Sequence, residues 1–471
     1  MTLFVLAALA TTSPRLSEAL PRWLQPPTGP HCPYGVLRSL PQPHTTPAQL
    51  YLPKYTFCAE RGVRGHDTWD EICTVLPKAW ARGGRAMHFA IQLGQTNERD
   101  MRAYAAGWNA GDAILTWAAR LAFSYFLGHP EWLLRECHIP MSVTDLRTAN
   151  SEPTLAVIVG GGGLFYSLNR ASLQNISGWQ WQVPTPHLTR LDPPLFLFGV
   201  GWNEFRHTTS TRYRSALMRS LTALAAKSST MIGLREQYSL DAMTPLIPLR
   251  NATITYQPCA TTLLGAIQPC MTNRVLLHKD SPRRLSVNVA GDKLLSRLGV
   301  ATYTSVMREI AGFCERALAN GWAVDLVHHL SMDAVFHRFL RQHFPNVAKH
   351  VATIQFTSHE HMLDYYGRVT VAISSRGHGV MVPFDLQAAT ISMIAHDKVA
   401  SFIRDIGHRE WGVEIDPTKR PGGNASGISE ELWYALEHIH GNRALIHRQI
   451  LEAQARLMAI TAENMRRFAS D

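Results

Sequence analysis

Apolar runs of strand length alternate with amphipathic stretches of helix length twice over, and this alternation limits the chain to folds built on parallel sheets. The first series holds "HFAIQL" (88–93), "LAVIV" (155–159), "LFLFGV" (195–200) and "TMIGL" (230–234). The second follows a charged, proline-containing break, "HKDSPRRL" (278–285), and holds "LSVNV", "AVDLVHH", "VATIQF", "VTVAIS" and "TISMIA". Strands that read as near-continuous apolar runs are buried on both faces, which a parallel sheet covered by helices requires. The spacing predicts an α/β chain of two doubly wound, Rossmann-like domains over 81–277 and 283–427. Within the second, a helix is predicted over 303–320, ending at the C-cap pair Asn320-Gly321. The polar helical stretch 428–471 carries Trp433, Leu436 and Ile439 on one face and is predicted to pack across the two domains. Residues 1–80 are rich in proline without a sustained apolar period, which reads as a loop-rich extension.

Bulk properties narrow the function classes. With 471 residues, 46% of them apolar, the chain has material for two or three globular cores. Its formal net charge of +10 is spread without Lys/Arg blocks. That excludes a dedicated nucleic-acid arm and fits an anionic substrate or peripheral association with an anionic membrane face. No run reaches the roughly 20 apolar residues of a membrane helix. Leu3–Ala10 has the apolar core of a signal segment, but no Lys or Arg precedes it. The seven cysteines are scattered with no C-x-x-C pair, so reduced thiols in a cytoplasmic protein are expected.

In open parallel sheets, ligands collect beyond the carboxyl ends of the strands, where loops meet helix N-termini. Four such turns carry chemistry. "AISSRGHGV" leaves a buried run and presents Arg376, a fork of donors for phosphate or carboxylate, and His378, which moves protons near neutral pH. The structural alternative is that Arg376 holds a neighbouring carboxylate and His378 caps a helix. "GLREQYS" places Arg235 in the same relation to its strand. "NAGDAIL" puts Asp112 at a helix start, as a cap or as an acceptor for a sugar hydroxyl. "VIVGGGGLF" runs a strand into four glycines, and Gly161 and Gly162 would let a ligand or the other domain approach the backbone. That run fails the dinucleotide pattern, because Phe165 stands where the third glycine belongs. The histidines of "VHHLSMD" and "TSHEHMLDYY" form no metal pattern, and solvated or capping roles are expected for them.

Taken in order, "NAGDAIL", "VIVGGGGLF", "GVGWNEF", "GLREQYS", "LSVNVAGD" and "AISSRGHGVMVPFDLQAATISM" resemble the polysaccharide pyruvyl transferase family over residues 85–410. The resemblance implies a two-domain, GT-B-like architecture. It also implies transfer of pyruvate from phosphoenolpyruvate to two hydroxyls of a sugar, free or lipid-linked, at the inner face of the membrane. The family's Ser-Arg-Leu-His falls on Ser375, Arg376, Gly377 and His378, with Gly for Leu. Its Arg-Asp-x-x-Ser falls on Arg235, Glu236 and Ser239, with Glu for Asp. Its Asn-x-Gly-Asp is intact at Asn109 to Asp112, and Lys398 in "AHDKV" loosely echoes a later lysine. Cys259 stands where relatives carry an acidic residue. His378 is then the proton-transfer group and Arg376 and Arg235 hold the donor. Asp112 orients the acceptor or delivers the proton, and Asn109, Gly161, Gly162 and Lys398 complete substrate binding. No cofactor beyond the donor substrate and no metal is called for. Two alternatives stay open: a GT-B-like glycosyltransferase using a nucleotide sugar, and a non-catalytic carbohydrate-binding member.

Overall fold

The computed structural model describes residues 85–90, 110–127, 131–136, 140–151, 154–165, 177–203, 214–248, 251–267, 283–291, 294 and 298–470, with backbone alone for 85–90 and 131–136. The proline-rich stretch 1–80 with Leu3–Ala10, Asn109 and most of the 278–285 break lie outside the described residues.

The first lobe runs β1 (Arg85–Ala90), α1 (Ala110–Leu127), β2 (Glu131–Glu136), α2 (Val143–Asn150), β3 (Thr154–Phe165), α3 (Thr185–Thr189), β4 (Leu195–Trp202), α4 (Arg214–Ala226), β5 (Thr230–Leu234), α5 (Gln237–Met243), β6 (Thr253–Tyr256) and α6 (Leu264–Ile267). The second runs β7 (Arg284–Asn288), α7 (Val300–Ala319), β8 (Ala323–His328), α8 (Ala334–His343), α9 (Pro345–His350), β9 (Ala352–Gln355), α10 (His359–Tyr366), β10 (Val371–Ser374), α11 (Gly377–Asp385), β11 (Ala389–Ile394), α12 (Asp397–Asp405) and β12 (Gly412–Glu414). Two helices close the chain, α13 (Ile428–Gly441) and α14 (Arg443–Ser470).

Each lobe is a six-stranded sheet, ordered β2-β1-β3-β4-β5-β6 and β12-β11-β10-β7-β8-β9. All pairs are parallel. The second order is that of a dinucleotide-binding sheet, with its switch point between β7 and β10; the first follows the flavodoxin-like order. The protein is therefore α/β, with two doubly wound, parallel-sheet lobes.

Burial follows the apolar pattern of the strands. Every residue of β5 is buried, and in β4 only Trp202 is not fully covered. In α7 the face Val306, Ile310, Phe313 and Cys314 is sealed from solvent, and the helix stops at Asn320 with Gly321 at φ 79°. The helix α1 departs from an amphipathic pattern, because residues 110–119 are all buried. It lies between the lobes: β3 packs on one side, and on another Trp117 meets the His359 ring of α10 at 5.1 Å. The last helix ties the lobes together. Asn464 Nδ2 of α14 donates to Tyr256 O at 2.8 Å in the first lobe, and Gln454 Nε2 to Asp385 O at 2.6 Å in the second. Among the described residues no helix is long and apolar enough to cross a membrane.

Candidate active site between the two lobes

The second lobe contributes the switch point. At the end of β10, Ser374 Oγ accepts the amide of Arg376 at 2.9 Å and donates to Asn288 Oδ1 of β7 at 2.9 Å. Asn288 Nδ2 in turn reaches Asp333 Oδ2 at 3.0 Å. Asp333 is fully covered and also accepts the amides of Gly291, His329 and Leu330 at 3.0, 3.0 and 3.1 Å. Onto this carboxylate Arg376 closes its fork, Nε at 2.9 Å from Oδ2 and Nη2 at 2.6 Å from Oδ1. Burial disfavours the charge on Asp333, but Arg376 and the Gly291 amide outweigh it and hold the carboxyl below its ordinary value. The structural role is thus realised for Arg376, and its charge reaches the cleft already balanced.

His378 enters one residue into α11, and its ring lies across Gly111 of the first lobe. A Cβ on Gly111 would stand 2.5 Å from His378 Nδ1, so only glycine admits the imidazole. Its Nε2 is 4.0 Å from Cys259 Sγ, which sits 3.2 Å from Thr261 Oγ1. Burial, and then the positive charges of Arg235, Lys398 and Arg376, hold the imidazole well below its usual pKa. It is neutral at pH 7.

From the first lobe comes Arg235, at the end of β5. Its Nε pairs with Glu236, Glu236 Oε2 accepts Ser239 Oγ at 2.7 Å, and Ser239 Oγ accepts the Trp202 amide at 2.8 Å. The Arg-Glu-x-x-Ser spacing is therefore one buried ion pair anchored to the end of β4. Burial opposes the charge on Arg235, yet Glu236, Cys259 and Asp112 raise its pKa. Asp112, buried in the first turn of α1, thus lies within the field of Arg235. Lys398 Nζ, from the start of α12, crosses to Asn203 Oδ1 after β4 at 2.9 Å.

The structure brings Arg235, Arg376, Lys398, His378 and Asp112 to one interface. Gly161 allows close packing of β3 on β4, since a Cβ there would meet Gly199 O at 2.8 Å, and Gly162 takes φ 98° where β3 loses register with β4. Asn109 lies outside the described residues. Two contributors escaped sequence reasoning, Asp333 and His329, and Cys259, noted there only as a departure from the family, lies at the site with its Sγ 4.0 Å from His378 Nε2. Of the histidine tracts, expected to be solvated or capping, His328, His329 and His359 are buried, whereas His361 accepts the Thr357 amide at 3.4 Å before its helix. His329 Nε2 pairs with Tyr366 Oη at 2.7 Å, and burial drives its pKa down to about 3. The signal was available, because His329 stands at a strand end as Arg376 does. Among the described residues no group of three or more His, Cys, Asp or Glu could hold a metal ion.

No protein-family model and no curated protein matches the sequence. Among solved structures, UDP-GlcNAc 2-epimerase from Neisseria meningitidis bound to UDP-GlcNAc is similar with 9% identity and a TM-score of 0.44, over 81% of this chain and 100% of that one. The wall teichoic acid polymerase TagF is similar with 9% identity and a TM-score of 0.36, over 85% and 93%. Likeness at that level carries nothing about chemistry, and the fold stands on the chain's own strand order.

Proposed function

We propose that the chain transfers pyruvate from phosphoenolpyruvate to two hydroxyls of one sugar, closing a cyclic ketal. The observation that carries this reading is that strand ends of both lobes meet at one interface, where His378 lies across Gly111 with Nε2 4.0 Å from Cys259 Sγ, Lys398 Nζ reaches Asn203 Oδ1 at 2.9 Å, and Arg235 pairs with Glu236. A small donor bearing both phosphate and carboxylate needs several charged donors close together. Arg235, oriented by Glu236, and Lys398 take the two anionic groups. Arg376, its fork closed on the buried Asp333, holds the turn that carries His378.

The donor's negative charge opposes the cations, lifts the pKa of His378 and lets the imidazole take up a proton. His378 gives that proton to the methylene carbon, whose double-bond electrons form the new C–H bond. The first sugar hydroxyl bonds to the second carbon and returns its proton to His378. Phosphate departs with the C–O electron pair, the second hydroxyl closes the ring, and its proton leaves with the phosphate. Asp112, beside Arg235, orients the acceptor hydroxyl.

Incubation with phosphoenolpyruvate and a panel of sugar diols tests the reading. Phosphate release matched by a ketal-pyruvylated sugar is expected; phosphate release without ketal, or turnover of nucleotide sugars instead, contradicts it.

A further inference from the structure

Three helices of the first lobe begin at the interface, and the second lobe supplies acceptors for their first amides. The amide of Ala110, opening α1, donates to His329 O at 3.1 Å. Those of Gln237 and Tyr238, opening α5, donate to Asp405 Oδ2 and Ser401 Oγ of α12, each at 3.0 Å. Gly265 N of α6 donates to Asp385 Oδ2 of α11 at 2.9 Å. A helix start leaves its first N–H groups without partners in its own helix, and a neighbouring side chain ordinarily fills the need. Glu236, at the N-cap of α5, makes no such bond because its carboxylate is committed to Arg235 and Ser239. The cap arrives instead from residues more than 160 positions away in sequence. Each start also borders the site: Asp112 lies in the first turn of α1, Arg235 just before α5, and Cys259 just before the turn into α6.

We propose that Asp405 and Ser401 are positioning residues for Arg235: by capping α5 from the opposite lobe, they make lobe docking the event that fixes the anion-holding arginine. A seven-residue helix is marginal by itself, and although Ser239 ties its first turn to Glu236 and the Trp202 amide, the amides of Gln237 and Tyr238 take their partners from the other lobe. When the lobes part, the amides of Gln237 and Tyr238 pass to water, and the turn that aims Arg235 loosens with them. Arg404 Nη2, bonded to Ser401 Oγ at 3.0 Å, and Arg456 Nη2, bonded to Asp405 O at 2.8 Å, keep the capping pair in place. The link to donor affinity rests on the proposed role of Arg235; the capping itself does not.

The test uses the full chain and its variants Asp405→Ala, Asp405→Asn and Ser401→Ala. Amide hydrogen exchange is read over residues 235–243, and phosphoenolpyruvate binding is read by calorimetry. Exchange at Gln237 is expected to quicken about fivefold or more in Asp405→Ala, the loss of one cap, and to return close to the parent in Asp405→Asn, which keeps an acceptor oxygen. Ser401→Ala is expected to quicken Tyr238 and serves if Asp405→Ala does not fold. Donor affinity is expected to fall with the same pattern, by about fivefold in Asp405→Ala and little in Asp405→Asn. Unchanged exchange in both alanine variants overturns the capping. Faster exchange with unchanged donor affinity overturns the positioning of Arg235. If the parent binds no phosphoenolpyruvate, the donor reading fails, and exchange alone decides the cap.

Discussion

Arg376 and His378 leave the same strand end two residues apart and do different work. The arginine closes on Asp333, while the histidine crosses to the other lobe and rests on Gly111. Sequence could locate both, since a charged turn after a buried apolar run marks the carboxyl edge of a parallel sheet. It could not show that the fork of Arg376 was already engaged, because its partner lies 43 residues away on another turn. For the proposed proton transfer, His378→Ala is expected to lose turnover by about 10²-fold while still binding phosphoenolpyruvate; full turnover in a folded variant removes His378 from the mechanism. His329 makes a separate prediction about stability. Its pKa is about 3 in the folded chain, whereas an unfolded histidine titrates near 6.5. Below that value the unfolded chain takes up a proton that the folded one refuses, so stability is lost as pH falls from about 6.5 towards 3. Between pH 7 and 5 this one group costs about 2 kcal/mol. Urea titrations of parent and His329→Gln should differ by that amount in slope across the window, and parallel pH dependences contradict the assignment.

The same contrast holds for whole elements. Where a strand is central, its apolar run identified it, as "TMIGL" did for β5 (Thr230–Leu234). The strands that escaped are β2 and β6 of the first sheet and β12 of the second. The run "EWLLRE" of β2 is interrupted by charge, "TITY" of β6 is only half covered at a sheet edge, and β12 is three residues long. None gives the uninterrupted apolar signal of a two-sided strand. For α1 the sequence marked a helix start at Asp112, but the burial of every residue over 110–119 follows from a neighbouring lobe that no local period reveals. Its glycine start supports a prediction at this scale. A methyl group at Gly111 would overlap the His378 ring, so Gly111→Ala is expected to cost about 1–3 kcal/mol. In the His378→Ala background most of that cost should vanish, which a double-mutant cycle by urea unfolding measures. Additive losses would mean that the ring and the helix start do not touch.

Across the whole molecule, two sheets of different strand order turn their carboxyl edges to one interface, and the groups of interest come from both. Arg235 and Asp112 belong to the first lobe, and Arg376, His378 and Lys398 to the second. The period of the sequence revealed two doubly wound lobes, but the cross-lobe pairs Asn203–Lys398 and Gln237–Asp405 join residues that nothing in the sequence brings together. The central claim is that burial, reinforced by cations from both lobes, keeps one imidazole neutral until a small dianion arrives. It is tested most directly by following the His378 ring by NMR through a pH titration, with and without phosphoenolpyruvate. The account predicts a midpoint well below the ordinary histidine range in the free protein and an upward shift when the donor binds. An ordinary midpoint that phosphoenolpyruvate leaves in place would contradict it.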